Sequence, residues 1–243
     1  MIGTIINIIT VLIGSALGIT LGNRLPEKIH QTTVHGIGLI TLVLGMQLAL
    51  TTQNPLIVLG SIAVGGILGE WWNIDGALKR FGAWLEARFN RNEAGDEESS
   101  ARFIRGFVTA SLVFCVGPLT ILGSIQDGLR GDFRLLAIKS MLDFFTSLAF
   151  ASSLGIGVAF SVITILLYQG ALSLLATQAQ AILTPDMQTE LFATGGIILL
   201  GLGIGSLLEL KPIRAANFLP ALILAPLIVA ILAALGLPVV PEF

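Results

Sequence analysis

MIGTIINIITVLIGSALGITLG, residues 1–22, opens the chain without one charged side chain. A run of roughly 20 apolar residues is what an α-helix needs to cross the hydrocarbon of a bilayer. The two basic residues nearest to it, Arg24 and Lys28, follow the run rather than precede it. With no basic segment in front, this is not the pattern of a cleaved signal peptide. It predicts a first membrane span with its N-terminus outside, because flanking Lys and Arg are held on the cytoplasmic side.

The rest of the chain repeats the pattern. Of 243 residues, 54% are hydrophobic and 12% charged, and the mean hydropathy is +0.91. That is too little polar surface to cover a soluble globule of this size. Stretches long enough to span recur about eight times, near 2–22, 33–51, 55–72, 106–125, 135–154, 156–178, 190–209 and 217–236. The expected fold is an all-α polytopic helical bundle of about 7–8 spans, forming one integral membrane domain over 1–243. The breaks, among them Thr52-Gln53-Asn54-Pro55, Ser152-Ser153-Leu154-Gly155 and Thr184-Pro185-Asp186, carry turn and helix-start chemistry.

One sizeable segment, about 73–105, lies outside the spans. Leu78, Phe81, Leu85 and Phe89 recur at three- and four-residue spacing beside Trp71 and Trp72, which predicts an amphipathic helix. Its apolar face meets either the membrane interface or the protein's own loops. The polar stretch 92–100 has almost nothing to bury and reads as a mobile loop. With the N-terminus outside, Arg24, Lys28, the basic residues of 79–105, Lys211 and Arg214 all fall inside. Arg130 and Arg134 are the exception. Either Asp127 and Asp132 neutralise them in a cavity, or the chain around Gly117-Pro118 is broken or re-entrant.

Gly14, Gly18 and Gly22 in the first span, Gly65 and Gly69 in the third, and Gly201 and Gly205 in the seventh recur every four residues, leaving smooth faces for close helix packing. A faint likeness between 36–45 and 195–203, spans separated by an odd number of helices, fits inverted repeats.

Inside this apolar chain stands a polar block, Gln126-Asp127-Gly128-Leu129-Arg130-Gly131-Asp132-Phe133-Arg134, followed by Lys139, Ser140, Asp143 and Ser147. Charge at membrane depth is costly, and a functional role is its default reading. Lys139, Asp143 and Ser147 share one helical face, where the lysine and aspartate keep each other ionised. Such a pair also serves simply to lock helices together. Gln126, Asp127 and Asp132 offer more carboxylate and amide than one lysine requires, which is the surplus a solute cavity needs. Gly117-Pro118 breaks or kinks the helix just upstream. A second polar group comprises Glu209, Lys211, Arg214 and Asn217. Asn7 and Gln169 are isolated intramembrane amides, read as interhelical hydrogen-bond partners, and Glu70 lies beside the tryptophans.

The net charge of −2 and few, scattered basic residues exclude a nucleic-acid partner. The single cysteine, Cys115, forbids an internal disulfide and a thiolate metal site, and His30 and His35 do not share a helical face as zinc ligation requires. No P-loop, HExxH or Gly-x-Ser-x-Gly occurs. The chain is therefore expected to be no enzyme, and to need neither cofactor nor metal.

The sequence resembles the bacterial YdfK/YqgA-like membrane proteins, the family called domain of unknown function 554. The resemblance covers nearly the whole chain. It rests on Gly3-Thr4-Ile5-Ile6-Asn7, Asn23-Arg24-Leu25-Pro26, Phe114-Cys115-Val116-Gly117, Ile121-Leu122-Gly123-Ser124-Ile125-Gln126-Asp127-Gly128, Gly131-Asp132, Lys139-Ser140, Asp143, the run 151–158, Tyr168-Gln169-Gly170 and Asn217-Phe218-Leu219-Pro220-Ala221. It implies a multi-spanning inner-membrane protein with a transport role. The expected function is a transporter or channel for a small polar or ionic solute, with Gln126, Asp127, Asp132, Lys139, Ser140, Asp143 and Ser147 along its path. The rival is a non-transporting scaffold whose buried charges are structural and whose cytoplasmic segment binds a partner. Both readings have the lipid bilayer as a partner, and both are compatible with a homo-oligomer.

Overall fold

A computed structural model describes residues 1–22, 26–89 and 97–239. Residues 23–25 of the Asn23-Arg24-Leu25-Pro26 break after the first span, and 92–96 of the polar stretch 92–100, lie outside the described residues. The described residues form helices and no strands: α1 (Ile2–Gly22), α2 (Glu27–Ala49), α3 (Pro55–Trp72), α4 (Ile74–Phe89), α5 (Glu97–Cys115), α6 (Pro118–Arg130), α7 (Arg134–Leu154), α8 (Ser161–Leu174), α9 (Ala176–Ile182), α10 (Pro185–Leu202) and α11 (Ala221–Ala234). Six helical segments are long and apolar enough to cross a membrane. The number rises to eight if the bent pairs α5/α6 and α8/α9 each count as one span. The fold is a helical membrane bundle, as the hydropathy predicts.

The boundaries follow local chemistry. Asn54 caps α3 by accepting from the Leu56 N–H, with Pro55 in the first turn. Thr184 does the same for α10 through the Met187 N–H, ahead of Pro185. Gly131 ends α6 at φ 67°, its N–H on the Asp127 carbonyl, the left-handed position glycine fills without steric cost. Helix α5 begins at Glu97, so residues 97–100 of the expected loop are helical. The Ser100 hydroxyl holds that turn to Glu86 at 2.5 Å, and Arg102 pairs with Glu98 one turn on.

The chain divides into two compact units. The first comprises Met1–Ile37 and Leu78–Ala179. Its centre is the seam between α1 and α7, which run parallel: Gly3 lies on Leu136, Gly14 on Ser147, Gly18 on Leu148 and Ala151, and Gly22 on Ser152. A Cβ at Gly14 or Gly18 would strike a carbonyl oxygen of α7, so the glycine stripe is what lets the two backbones touch. Helix α5 starts beside the end of α7, where Gly106 meets Leu154 and Gly157 meets Phe103. Helix α6 ends beside the start of α1. The pair therefore traverses the unit once, with a 63° bend between them, which is the geometry of a broken span. On α4, Leu85 is buried, Phe81 meets Phe107 and Phe89 meets Phe160. Leu85 thus anchors the helix to its own unit, while Phe81, Phe89 and Trp84 keep much of their surface exposed.

The second unit comprises Gly38–Ala77 and Gln180–Phe243. Here α2 and α10 are antiparallel, with Gly45 on Gly196 and Gly38 on Leu207 and Leu208. Of the glycines that make the 36–45 and 195–203 segments look alike, Gly38, Gly45, Gly196 and Gly203 lie where the two helices touch, whereas Gly36 meets nothing and Gly201 meets Ile213. Helix α11 runs antiparallel to α3, with Ala221 on Gly65 and Asn217 on Gly69. Ile57, Met187, Ala225 and Val229 form a core at the other end.

Candidate functional site

On α7, Lys139, Ser140, Asp143 and Ser147 are all buried, as their spacing predicts. The Lys139 ammonium is paired with the Asp143 carboxylate one turn later and lies 5.8 Å from the centre of the Phe114 ring, within cation–π range. The Ser140 hydroxyl donates to the Leu136 carbonyl at 2.6 Å and that of Ser147 to Phe144 at 2.9 Å. Ser147 also faces Gly14, which sets it in the α1–α7 seam. Both hydroxyls of this face thus donate within α7 itself, as does the lysine to its aspartate.

The expected break in the chain is real. Helix α5 stops at Cys115 and α6 starts at Pro118, and the Thr120 hydroxyl reaches back to the Phe114 carbonyl at 3.0 Å, satisfying a group freed by the break. Of the other proposed path residues, Gln126 and Asp132 are not with the buried set. Gln126 is exposed. Asp132 sits in the turn before α7, its carboxylate accepting from Arg134 Nε at 2.8 Å and Nη2 at 2.6 Å. That pair neutralises one of the two arginines that break the positive-inside pattern. The Arg134 side chain, then its backbone N–H, hold the Asp132 carboxyl at about 2, below its usual 3.8.

Asp127 is buried at the N-terminus of α1. Its Oδ2 accepts the Gly3 backbone N–H at 3.1 Å and lies 3.1 Å from the Met1 amino nitrogen. A carboxylate suits this place, where backbone N–H groups lack helical partners and the helix end is positive. Its other oxygen, Oδ1, is buried without a hydrogen-bond partner among the described residues.

The same condition recurs on neighbouring helices. Asn7 donates from Nδ2 to Gln169 Oε1 at 3.1 Å, and Gln169 donates from Nε2 to Thr4 Oγ1 at 3.1 Å. The two isolated amides are therefore interhelical partners of each other. Asn7 Oδ1, Ser15 Oγ on α1 and Ser173 Oγ on α8 are all buried and, among the described residues, unpartnered. Gly3, Asn7 and Ser15 lie on one buried stripe of α1 that extends about 18 Å along the axis. Ser15 and Ser173 escape a sequence reading because serines in spans usually bond their own helix. The available signal was their fourfold spacing from amides, Asn7-x₇-Ser15 and Gln169-x₃-Ser173.

The second unit has a buried carboxylate of a different kind. Glu190 accepts from Thr52 Oγ1 at 2.7 Å and from the backbone N–H groups of Gln53 and Asn54 at 2.8 and 3.1 Å. It anchors the α2–α3 turn. Asn217 accepts the Asp75 N–H at 2.7 Å and donates to Glu70 at 2.6 Å, and Glu70 also holds Arg214 at 2.8 Å. A groove of about 780 Å³, walled by Ile62, Gly66, Trp71, Ile213 and Phe218, opens beside this trio.

The family model described as protein of unknown function (DUF554) matches residues 2–230, which takes in every side chain of the buried network. The chain belongs to the DUF554 family. Two relatives match over most of the chain. The uncharacterised membrane protein YdfK of Bacillus subtilis (strain 168) is 31% identical over 242 residues, covering 98% of this chain and 99% of its own. The uncharacterised protein YqgA of Escherichia coli (strain K12) is 34% identical over 225 residues, covering 92% and 94%. No solved structure matches.

Proposed function

We propose that the protein is a permease or channel of the bacterial inner membrane, carrying a small polar or ionic solute through the polar interior of its first unit. One observation carries the reading. Asp127, Asn7, Ser15 and Ser173 each hold a buried oxygen with no partner among the described residues, and three of them follow α1 from its first turn inward. An unpaired polar atom in an apolar interior is destabilising by about 1–3 kcal/mol. Four in one unit are sustained if water or a solute completes them in the working protein. The stripe covers more than half of a hydrocarbon core about 30 Å thick. The broken α5/α6 span next to it supplies the irregular backbone that membrane proteins tolerate where a cavity is lined. The path thus runs along α1, α6 and α8, with the Lys139–Asp143 pair of α7 as its charged wall.

The rival reading, a non-transporting scaffold, draws on the completeness of that α7 face, where lysine, aspartate and both serines already have partners. Thiol accessibility separates the two. Single cysteines at 7, 15, 127 and 173, in a Cys115→Ser background, are probed with a membrane-impermeant reagent from each side. Labelling of all four, with a cysteine at 147 unlabelled, is the expected result. A folded protein in which none of the four reacts defeats the transport reading.

A further inference from the structure

The stripe has a chemical polarity that defines what it accepts. At the junction of α1, α6 and α8, Asn7 Nδ2 donates to Gln169, Gln169 Nε2 to Thr4, and the Gly3 N–H to Asp127. The atoms left over are oxygens: Asn7 Oδ1, Asp127 Oδ1 and Ser173 Oγ. At Asp127 the asymmetry is sharp, since the Gly3 N–H and the Met1 amino group both crowd onto Oδ2 while Oδ1 has neither.

These oxygens belong to one place. Gly3 and Asn7 are one turn apart on α1, and Gln169 and Ser173 are one turn apart on α8. The Asn7–Gln169 bond ties the two helices together. Gly128, next to Asp127, lies directly on the Ser173 carbonyl and Ala176, which closes the third side. All three side chains are more than nine-tenths buried.

We infer that this junction is a binding site for a small monovalent cation, held by Asp127 Oδ1, Asn7 Oδ1 and Ser173 Oγ. The inference rests on the permease reading and names its solute class. An anion would be repelled by the Asp127 carboxylate and offered a single hydroxyl proton, that of Ser173. A divalent ion calls for several carboxylates, whereas Asp127 is the one carboxylate of this cluster, and no group of three or more His, Cys, Asp or Glu able to hold a metal occurs among the described residues. A singly charged ion, bare or of the ammonium type, needs one carboxylate and neutral oxygens.

The test uses the full chain, purified in detergent. Its thermal midpoint is followed while sodium, potassium or ammonium chloride replaces N-methyl-D-glucamine chloride at constant ionic strength. A ligand that binds only the folded state raises the midpoint in a saturable way, and at least one of the three small cations is expected to do so. Ser173→Ala removes a hydroxyl with no hydrogen-bond partner among the described residues. It is expected to leave the cation-free midpoint in place and to weaken the apparent affinity by about tenfold. Equal midpoints in all four salts overturn the inference, as does an unchanged affinity in Ser173→Ala. Thiol labelling along α1 without a cation effect overturns this site alone and leaves the permease reading with a neutral solute. A cation effect without labelling sustains the site and removes the permease.

Discussion

Asp127 and Gly3, 124 positions apart in sequence, are joined by a buried hydrogen bond of 3.1 Å from the glycine N–H to the aspartate carboxylate. The contact fixes the start of α1 to the end of the broken span. Asp127→Ala is expected to lower the unfolding free energy by about 2–3 kcal/mol, the scale for a hydrogen bond to a charged group. It should also speed amide exchange in the first turn of α1 relative to its centre. Protection unchanged at Gly3 and its neighbours would show that the carboxylate does not hold this end.

The α1–α7 seam tolerates no added bulk on its glycine side, because the opposing atoms at Gly18 are the Leu148 carbonyl and the Ala151 methyl and backbone cannot rotate away. Gly18→Val is expected to destabilise the protein by about 3 kcal/mol, the upper end for overpacking. Gly36→Val, where nothing lies within 4 Å of the added carbon, should cost well under half as much. Equal losses in reversible detergent unfolding would remove the seam as the cause.

The Lys139–Asp143 pair lends itself to a double-mutant cycle. Removing either partner strands a buried charge, so Lys139→Met or Asp143→Leu alone should cost about 3–5 kcal/mol. The double variant, which replaces the pair with apolar groups, should return to within about 1 kcal/mol of the parent. Additive losses would mean that the two side chains do not depend on each other.

At the α6–α7 turn, the Arg134 side chain keeps the Asp132 carboxyl at about 2 instead of 3.8. A carboxyl lowered on folding contributes stability that is fully present above its unfolded value and lost as pH falls through the folded one. The pairing should therefore persist through pH 4 and fail only towards pH 2. The carboxyl carbon shift of Asp132, followed by NMR, checks this. In Arg134→Gln the midpoint should return to near 3.8, and a midpoint near 3.8 in the parent would dispose of the ion pair.

The spans were legible because lipid demands long apolar runs, and Asn54-Pro55 and Thr184-Pro185 announce their helix starts by chemistry that any sequence displays. The break at Gly117-Pro118 was legible for the same reason. The 71° bend between α8 and α9 was not, since Leu174-Leu175-Ala176 holds neither proline nor glycine. At the site, Lys139 and Asp143 could be paired from their spacing alone. Asn7 and Gln169 could be recognised as amides in search of partners, but not matched to each other, because their meeting depends on helices 162 residues apart. Asp127 was conspicuous as a charge, whereas its role at the foot of α1 appears only once the parallel seam is known. Gln126 and Asp132 looked like its companions by proximity in sequence, yet the end of α6 turns them outward.

The order of these partners along the chain has a consequence for biogenesis. Helix α1 leaves the ribosome before α6 and α8, and the groups that cover its polar flank, Asp127 and Gln169, are made 124 residues after Gly3 and 162 after Asn7. At about 5–20 residues per second, the first helix waits on the order of ten seconds with Thr4 and Asn7 unsealed. A nascent chain stopped before Gln169 lacks the partner that Asn7 has in the finished bundle. Truncated copies are thereby distinguishable from finished ones by the same hydrogen bonds that close the bundle.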